Sequence, residues 1–395
     1  GIDPHVHFDT PGFTDREDFH HGSMSAAAGG VTTVIDMPCT SLPPVTNGNN
    51  FDAKTDAIEG TSFIDYAFYG GIYAGNFDRY KETMSELADK GVKGFKVYFT
   101  SGMNTYPRVT TDQFEKILAY AKELDLPVLL HAEDNEIIEA QNVKHINDPD
   151  DYLRYCRIRP EEGEITAVRN AISALRKSGG KLHIVHVASF RAAGLINKIQ
   201  DELDITYETC PHYLYYTQDD FKTKGTSLKT APVVKGGEDR EMLWRFLEDG
   251  RCSFAASDHA PASLKEKETG SFESAYGGIP GVQTLIPSLF TKGFIERKIS
   301  LKRMVEITSQ NSAKRYGLYP LKGSLRPGSD ADFAVIDTNA DHTFMRDELL
   351  SKGETSPFFG EVFTAMPVMT ILRGKNIYAD RCGITGAAGY GTYIL

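Results

Sequence analysis

Two histidines stand two residues apart at the start of the chain, in the run Ile2-Asp3-Pro4-His5-Val6-His7. The run reads as a short buried strand, and a side-chain period of two points His5 and His7 the same way. Paired imidazoles are a poor use of core volume and a good half of a metal site. Further ionisable groups stand at the ends of other apolar runs: Lys96, His131, His186 and Asp258. Each has an ordinary explanation by itself. Lys96 can snorkel to solvent, a lone histidine can be a satisfied core residue, and Asp258 before His259 can cap a turn. His183 rivals His186, and on a continuous strand their offset of three puts them on opposite faces. Taken together, four imidazoles, one carboxylate and a lysine set between Phe95 and Val97 point to a metal-binding cluster.

Such a cluster needs a scaffold that gathers strand ends. Strands are expected at residues 2–7, 31–37, 64–72, 94–99, 127–131, 182–187, 205–210 and 252–258. Helical patterns follow at 15–30, 80–90, 111–124, 164–178, 192–201 and 240–248, with more near 282–290 and 301–309. Eight strands, each returning through helical material, predict an α/β fold, a (β/α)8 TIM barrel over residues 1–312. No Gly-rich dinucleotide fingerprint opens the first crossover, which disfavours a doubly wound sheet. Beyond 312 the chain turns Gly- and Asp-rich at 323–332 and then β-like at 333–337 and 368–377. Residues 313–395 therefore read as a small β-sandwich-like appendage. The irregular stretch 263–281 is a lid candidate, and Tyr98 reads as ordinary strand packing outside the site.

A formal charge of -11 argues against a nucleic-acid surface and against anionic lipid. No apolar run is long enough to span a bilayer, and no signal peptide is visible. The five cysteines lack CxxC spacing, which suits a reducing cytoplasm better than a disulfide framework. The opening on Gly1 inside a core strand, with no initiator Met, leads us to expect a preceding segment.

Several motifs resemble the cyclic amidohydrolases, the group that includes dihydroorotase, allantoinase and the hydantoinases. They are Gly1-Ile2-Asp3-Pro4-His5-Val6-His7, Gly94-Phe95-Lys96, His131-Ala132-Glu133, His186-Val187-Ala188-Ser189, Cys210-Pro211-His212-Tyr213 and Ser257-Asp258-His259-Ala260-Pro261. The run from Lys322 to Asp332 resembles that group's return from barrel to sandwich. The resemblance implies about fifty residues of sandwich ahead of the first barrel strand. It also implies two divalent metal ions, usually zinc, bridged by a carbamylated lysine. By carry-over, His5, His7 and Asp258 hold one ion, His131 and His186 the other, and Lys96 bridges them. The implied reaction is hydrolytic opening of a cyclic amide or ureide, a small-molecule substrate. A metal-bridging hydroxide attacks and Asp258 serves as general base, then acid. Metal identity is left open among zinc, cobalt, manganese and iron. A homo-oligomer, tetramer or dimer, is expected by analogy.

The substrate can be narrowed by departures from the group's patterns. Dihydroorotases bind a substrate carboxylate with an Arg two residues after the second histidine, an Asn after Met-Pro and a His after Asp-His-Ala-Pro. Asp9, Cys39 and Ala262 stand at those positions. Each loses hydrogen-bonding or positive character, and Asp9 would repel a carboxylate. Hydantoinases place a Tyr five residues after the bridging lysine, where this chain has Ser101. Thr10-Pro11-Gly12, Arg159-Pro160, Gly277-Gly278-Ile279-Pro280-Gly281 and Ile371-Leu372-Arg373-Gly374 are most similar to allantoinases. The expectation is hydrolysis of allantoin to allantoate, with Ser101, His212 and backbone groups near Gly278 holding the substrate. Dihydroorotase, hydantoinase or dihydropyrimidinase activity, and a non-catalytic scaffold, are the alternatives. The scaffold is disfavoured because every ligand position is filled.

Overall fold

The computed structural model describes residues 1–395. β1 (Ile2–Val6) pairs in parallel with β2 (Thr33–Asp36), and β2 with β3 (Asp65–Phe68). Tyr69 interrupts this third stave, which resumes as β4 (Gly70–Gly71) and switches its pairing to β5 (Phe95–Tyr98). β6 (Pro127–His131), β7 (Lys181–Ile184), β8 (Ile205–Thr209) and β9 (Phe254–Ala255) follow in order, all parallel. A parallel bridge between Val6 and His259 closes the ring, and the His7 N–H donates to the His259 carbonyl at 2.8 Å. The expected eight-stave barrel is present.

Strand alternation sorts the core into two layers. Val128, Leu130, Leu182 and Ile184 face outward into the layer under the helices, whereas Leu129 and Val185 face the barrel interior with Ile2, Ile35, Tyr69 and Phe254. α1 (Phe19–Ala28), α2 (Gly48–Ile58), α3 (Tyr80–Asp89) and α4 (Thr111–Glu123) lie on the first half. α5 (Asn135–Lys144), α6 (Tyr152–Ile158), α7 (Glu161–Ser178) and α8 (Phe190–Asn197) follow β6 and β7. α4 shows why these segments are helical. Its Phe114, Ile117, Leu118 and Ala121 recur at helical spacing and are buried, and Thr110 with Gln113 forms a capping box. Each such fully buried large apolar side chain contributes about 1.5–3 kcal/mol.

α2, α5 and α6 were not among the expected helices. α2 opens on Asn47-Gly48-Asn49-Asn50, a turn-like string, and Lys54 is one of its few buried residues. Lys54 is fully buried because its Nζ pairs with Asp36 Oδ2 and donates to the Thr10 carbonyl and Ser41 Oγ, each at 2.7 Å. Asp36 Oδ1 in turn accepts the Phe8 N–H at 2.7 Å. This buried pair ties a helix, the end of β2 and the loop after His7 into one unit.

The domain boundary expected at 312 falls inside a helix, Asn311–Arg315. Ala313, Tyr316 and Leu318 belong to the cluster that fills the barrel interior, so the barrel extends at least to Leu318. Beyond it, β10 (Phe333–Asp337), β13 (Met366–Leu372), β14 (Lys375–Ala379) and β15 (Gly383–Ile384) form an antiparallel sheet, with β11 (His342–Thr343) and β12 (Val362–Phe363) as a separate pair. The tail then returns to the barrel, bridging Tyr393 to Tyr66. Asp65, Asp330 and Asp332 converge closely enough to suggest a cation site. The Lys322 ammonium already occupies it, at 2.6, 2.8 and 2.8 Å from the three carboxylates.

The stretch 263–281 is pinned rather than loose. Lys229 Nζ donates to the carbonyls of Phe272, Glu273 and Ala275 at 2.7, 2.7 and 2.6 Å. Lys267 Nζ donates to those of Thr226 and Gly278 at 3.1 and 2.5 Å. Two buried ammonium groups thus hold the segment as a fixed wall over the barrel mouth.

Candidate metal centre

The six residues singled out by type and spacing converge at the C-terminal ends of the staves. His5 and His7 leave the end of β1, Lys96 lies in β5 and His131 ends β6. His186 and Asp258 lie past the ends of β7 and β9, with φ of 39° and 48°. A left-handed residue other than glycine costs about 1–2 kcal/mol, and such strain persists only where surrounding packing enforces it. Here it re-aims both side chains over the barrel mouth. It also corrects the expectation for His183. That residue and Val185 face the barrel interior as alternation requires, with His183 stacked on Phe254 at 5.0 Å. The turn at His186 then brings it to the same side as His183 rather than the opposite face.

The ligand atoms fall into two groups. Asp258 Oδ1 lies 3.2 Å from His5 Nε2 and 3.4 Å from His7 Nε2. His131 Nδ1 lies 2.9 Å from His186 Nε2. The rings of His5 and His186, 5.3 Å apart, join the groups. Lys96 Nζ is fully buried and has no hydrogen-bond partner. Burial pushes its pKa down to about 8. Burial also lowers the pKa of His5, His131 and His186, leaving neutral imidazoles, the form that binds metal. At His7 the lowering by burial is outweighed by Cys39 and Asp258, which raise its pKa to about 10, so a metal there would displace a proton. Burial alone would raise Asp258, but His5, His7 and His186 hold it well below the usual carboxylate range. Neutral imidazoles, an anionic carboxylate and an orphaned lysine nitrogen together fit divalent cations.

The candidate ligand rings are held from behind. His5 Nδ1 meets Glu208 Oε1 at 2.5 Å, and Glu208 Oε2 lies 3.1 Å from His183 Nε2, whose other nitrogen meets Thr206 Oγ1 at 2.8 Å. His131 Nε2 lies 3.0 Å from Glu133 Oε2, which also accepts from Arg159. His7 Nδ1 lies 3.2 Å from Thr40 Oγ1. A carboxylate behind an imidazole fixes its tautomer and strengthens it as a ligand. Glu208 did not stand out in the sequence, and Glu133 did so only within the motif His131-Ala132-Glu133, with no role assigned. Glu208 had a weaker signal, a charge within a strand of β-branched and aromatic residues, Ile205-Thr206-Tyr207-Glu208-Thr209.

The centre forms the base of a cavity of about 410 Å³. Ser101 lines it; His212 and Gly278 do not. His212 is buried against Tyr213, its Nε2 is unpartnered, and burial lowers its pKa to about 4. Gly278 spends its N–H on the Lys229 carbonyl and its own carbonyl on Lys267, so the neighbouring Gly277 forms the wall instead. Tyr98 is in the site after all. It stacks on His131 at 5.2 Å, lies under Lys96 Nζ and contacts Cys39 Sγ at 3.0 Å. Asp9 is absent from the wall. Its carboxylate is buried with both oxygens unpartnered, and burial raises its pKa to about 7. Asp9 therefore replaces an arginine without offering a substrate any direct contact.

Residues 1–377 match the amidohydrolase family. The chain belongs to that family. An allantoinase of Rubrobacter xylanophilus is 36% identical over 391 residues, 98% of this chain and 85% of the relative. An allantoinase of Saccharomyces cerevisiae is 33% identical, covering 97% of this chain and 83% of its own. Among solved structures, the L-hydantoinase (dihydropyrimidinase) from Arthrobacter aurescens superposes with a TM-score of 0.94 at 30% identity, covering 99% of this chain and 87% of that one. This amidohydrolase is an enzyme of the cyclic-amide group, with the candidate ligands gathered at the barrel mouth. No helix is long and apolar enough to cross a membrane.

The support behind His5 makes a prediction for this amidohydrolase. Glu208→Gln keeps the shape of the side chain and removes its charge. Metal affinity should fall about 10- to 100-fold in chelator competition. Unchanged affinity would mean that Glu208 only fills space.

Proposed function

We propose that this amidohydrolase opens allantoin to allantoate. The reading rests chiefly on near-full-length identity to allantoinases at 31–36%. The wall is consistent with a neutral, polar ureide. Cys39 and Ser101 stand where a carboxylate-binding Asn and a ring-contacting Tyr would favour dihydroorotate or hydantoin. His5, His7 and Asp258 would hold one divalent ion, His131 and His186 a second, with a carbamylated Lys96 between them. Such ions, zinc being the expected pair, act as Lewis acids that acidify water and polarise a carbonyl.

The protein's own groups account for the rest. Ionised Asp258 takes the proton from the attacking water and returns it to the leaving ring nitrogen. Glu208 and Glu133 keep the imidazoles from rotating, and the wall 272–277 limits water at the reacting ring. Ser101 is the proposed ring contact. His212, first expected as a substrate contact, lies behind the cavity wall with an unpartnered Nε2, near enough to Asp258 to feel its charge. A homo-oligomer is part of the same reading.

A second reading, hydantoinase or dihydropyrimidinase, is favoured by the solved structures alone. A panel of allantoin, dihydroorotate, hydantoin and dihydrouracil separates the two. Allantoin should give the highest kcat/KM. Turnover of dihydroorotate alone would refute the reading of Cys39 and Ala262, and preference for hydantoin or dihydrouracil would select the second.

A further inference from the structure

Two supports back the ligating histidines, and they differ in where they end. The one behind His5 runs through Glu208 to His183 and Thr206, within the barrel interior. The one behind His131 runs through Glu133 to Arg159, and Arg159 lines the cavity. Its guanidinium makes a single side-chain hydrogen bond, through Nη1 to Glu133, which leaves Nε and Nη2 free.

No other cation on the wall has donors to spare. Lys229 spends its ammonium on three carbonyls. The nearby acidic side chain of Glu273 is paired with Arg154 at 2.6 Å, and the Tyr155 hydroxyl donates to the Thr230 carbonyl at 2.8 Å. On the same wall Asn142 presents a buried Oδ1 that has no hydrogen-bond partner. A buried acceptor left unpaired is costly, and a guanidinium with unused donors in the same cavity is its complement. An amide or urea group offers a carbonyl acceptor beside N–H donors and would satisfy both.

We propose that Arg159 and Asn142 form a subsite for an exocyclic urea or amide arm on the substrate ring. Arg159 donates to the arm's carbonyl and Asn142 Oδ1 accepts from its N–H. Arg159 is also a positioning residue for His131, because the guanidinium that meets the arm also holds Glu133. The subsite deepens the allantoin reading and rests on it, since allantoin is a hydantoin ring carrying a ureido arm.

The experiment compares the metal-loaded enzyme and its Arg159→Met, Arg159→Lys and Asn142→Leu variants. The substrates are allantoin, hydantoin (the same ring without an arm) and 5-(carbamoylmethyl)hydantoin. Asn142→Leu should cut the kcat/KM ratio of armed to unarmed ring by about tenfold or more through KM, with metal content unchanged. Arg159→Met should cut it by about 10- to 100-fold and also lower metal retention. Arg159→Lys should restore metal retention better than selectivity, because a lysine can pair with Glu133 but lacks the planar fork. Equal losses on all three rings, or no loss, would overturn the subsite. If the wild type opens the carbamoylmethyl ring but not allantoin, the allantoin reading fails while the subsite is still read from that pair. Calorimetric binding of each ligand to the loaded wild type covers rings that are not turned over, and failure of armed rings to bind more tightly than hydantoin overturns the subsite too.

Discussion

Lys96→Ala should abolish turnover, by on the order of 10³-fold or more, with a matching loss of bound metal. The expectation follows from where the lysine is. Phe95 and Val97 face the apolar layer under the helices, so Lys96 faces inward, fully buried. Its Nζ meets no hydrogen-bond partner and lies 4.9 Å from the centre of the Tyr98 ring. A buried, unpaired ammonium is among the costliest groups a core can hold. Burial accordingly lowers its pKa to about 8, which raises the share of neutral amine near neutrality. A neutral amine adds to carbon dioxide, forming an N–C bond and releasing one proton. The resulting carbamate is anionic and would offer two oxygens to metals held by the neighbouring imidazoles. Chelator-stripped wild type should therefore regain metal faster with bicarbonate, and faster as pH rises toward about 8. Alanine at 96 removes that anion; full metal content in this variant, with or without bicarbonate, would refute the bridging role.

The residues that were legible in the sequence share one physical property: each is polar where burial makes polarity expensive. Lys96 between Phe95 and Val97 and His131 at the end of Pro127-Val128-Leu129-Leu130 needed only strand alternation to be noticed. The barrel followed from the same runs. What stayed hidden depends on backbone turns or on partners distant in sequence. The turn at His186 defeats alternation, because a left-handed residue resets which way the next side chain points. α2 reads as a loop because its buried lysine makes sense only once Asp36 is beside it. Asp9 illustrates the limit of matching positions. Its identity excludes an arginine, yet its carboxylate is buried behind the wall rather than lining the cavity. Tyr98, one residue past Val97, looks like packing until Cys39 and His131 arrive from other staves.

Asp258→Asn should lower kcat by about 10²- to 10⁴-fold while leaving the fold intact, the range set by losing a positioned proton carrier. Asparagine suits this test because it tolerates the left-handed backbone at 258, where φ is 48°. It also keeps one oxygen toward His5 and His7, so partial metal retention is expected and should be measured beside the rates. The wild-type pH profile sharpens the assignment. Three neighbouring histidines hold Asp258 well below the usual carboxylate range, so it stays ionised throughout the neutral range. An acid-side loss of activity is then expected from protonation of the imidazoles proposed as ligands. Burial has lowered the pKa of His5, His131 and His186, so those rings stay neutral until the pH falls below the ordinary histidine value of about 6.5. The acid limb should accordingly coincide with metal release followed by a chromogenic chelator, because protons and metal compete for the same nitrogens. Asp258→Asn should reduce the plateau, and any movement of the limb should follow the change in metal retention. A variant that kept the plateau within tenfold of wild type would mean that another group carries the proton, and His212, buried beside the site with an unpartnered nitrogen, would be the next to replace.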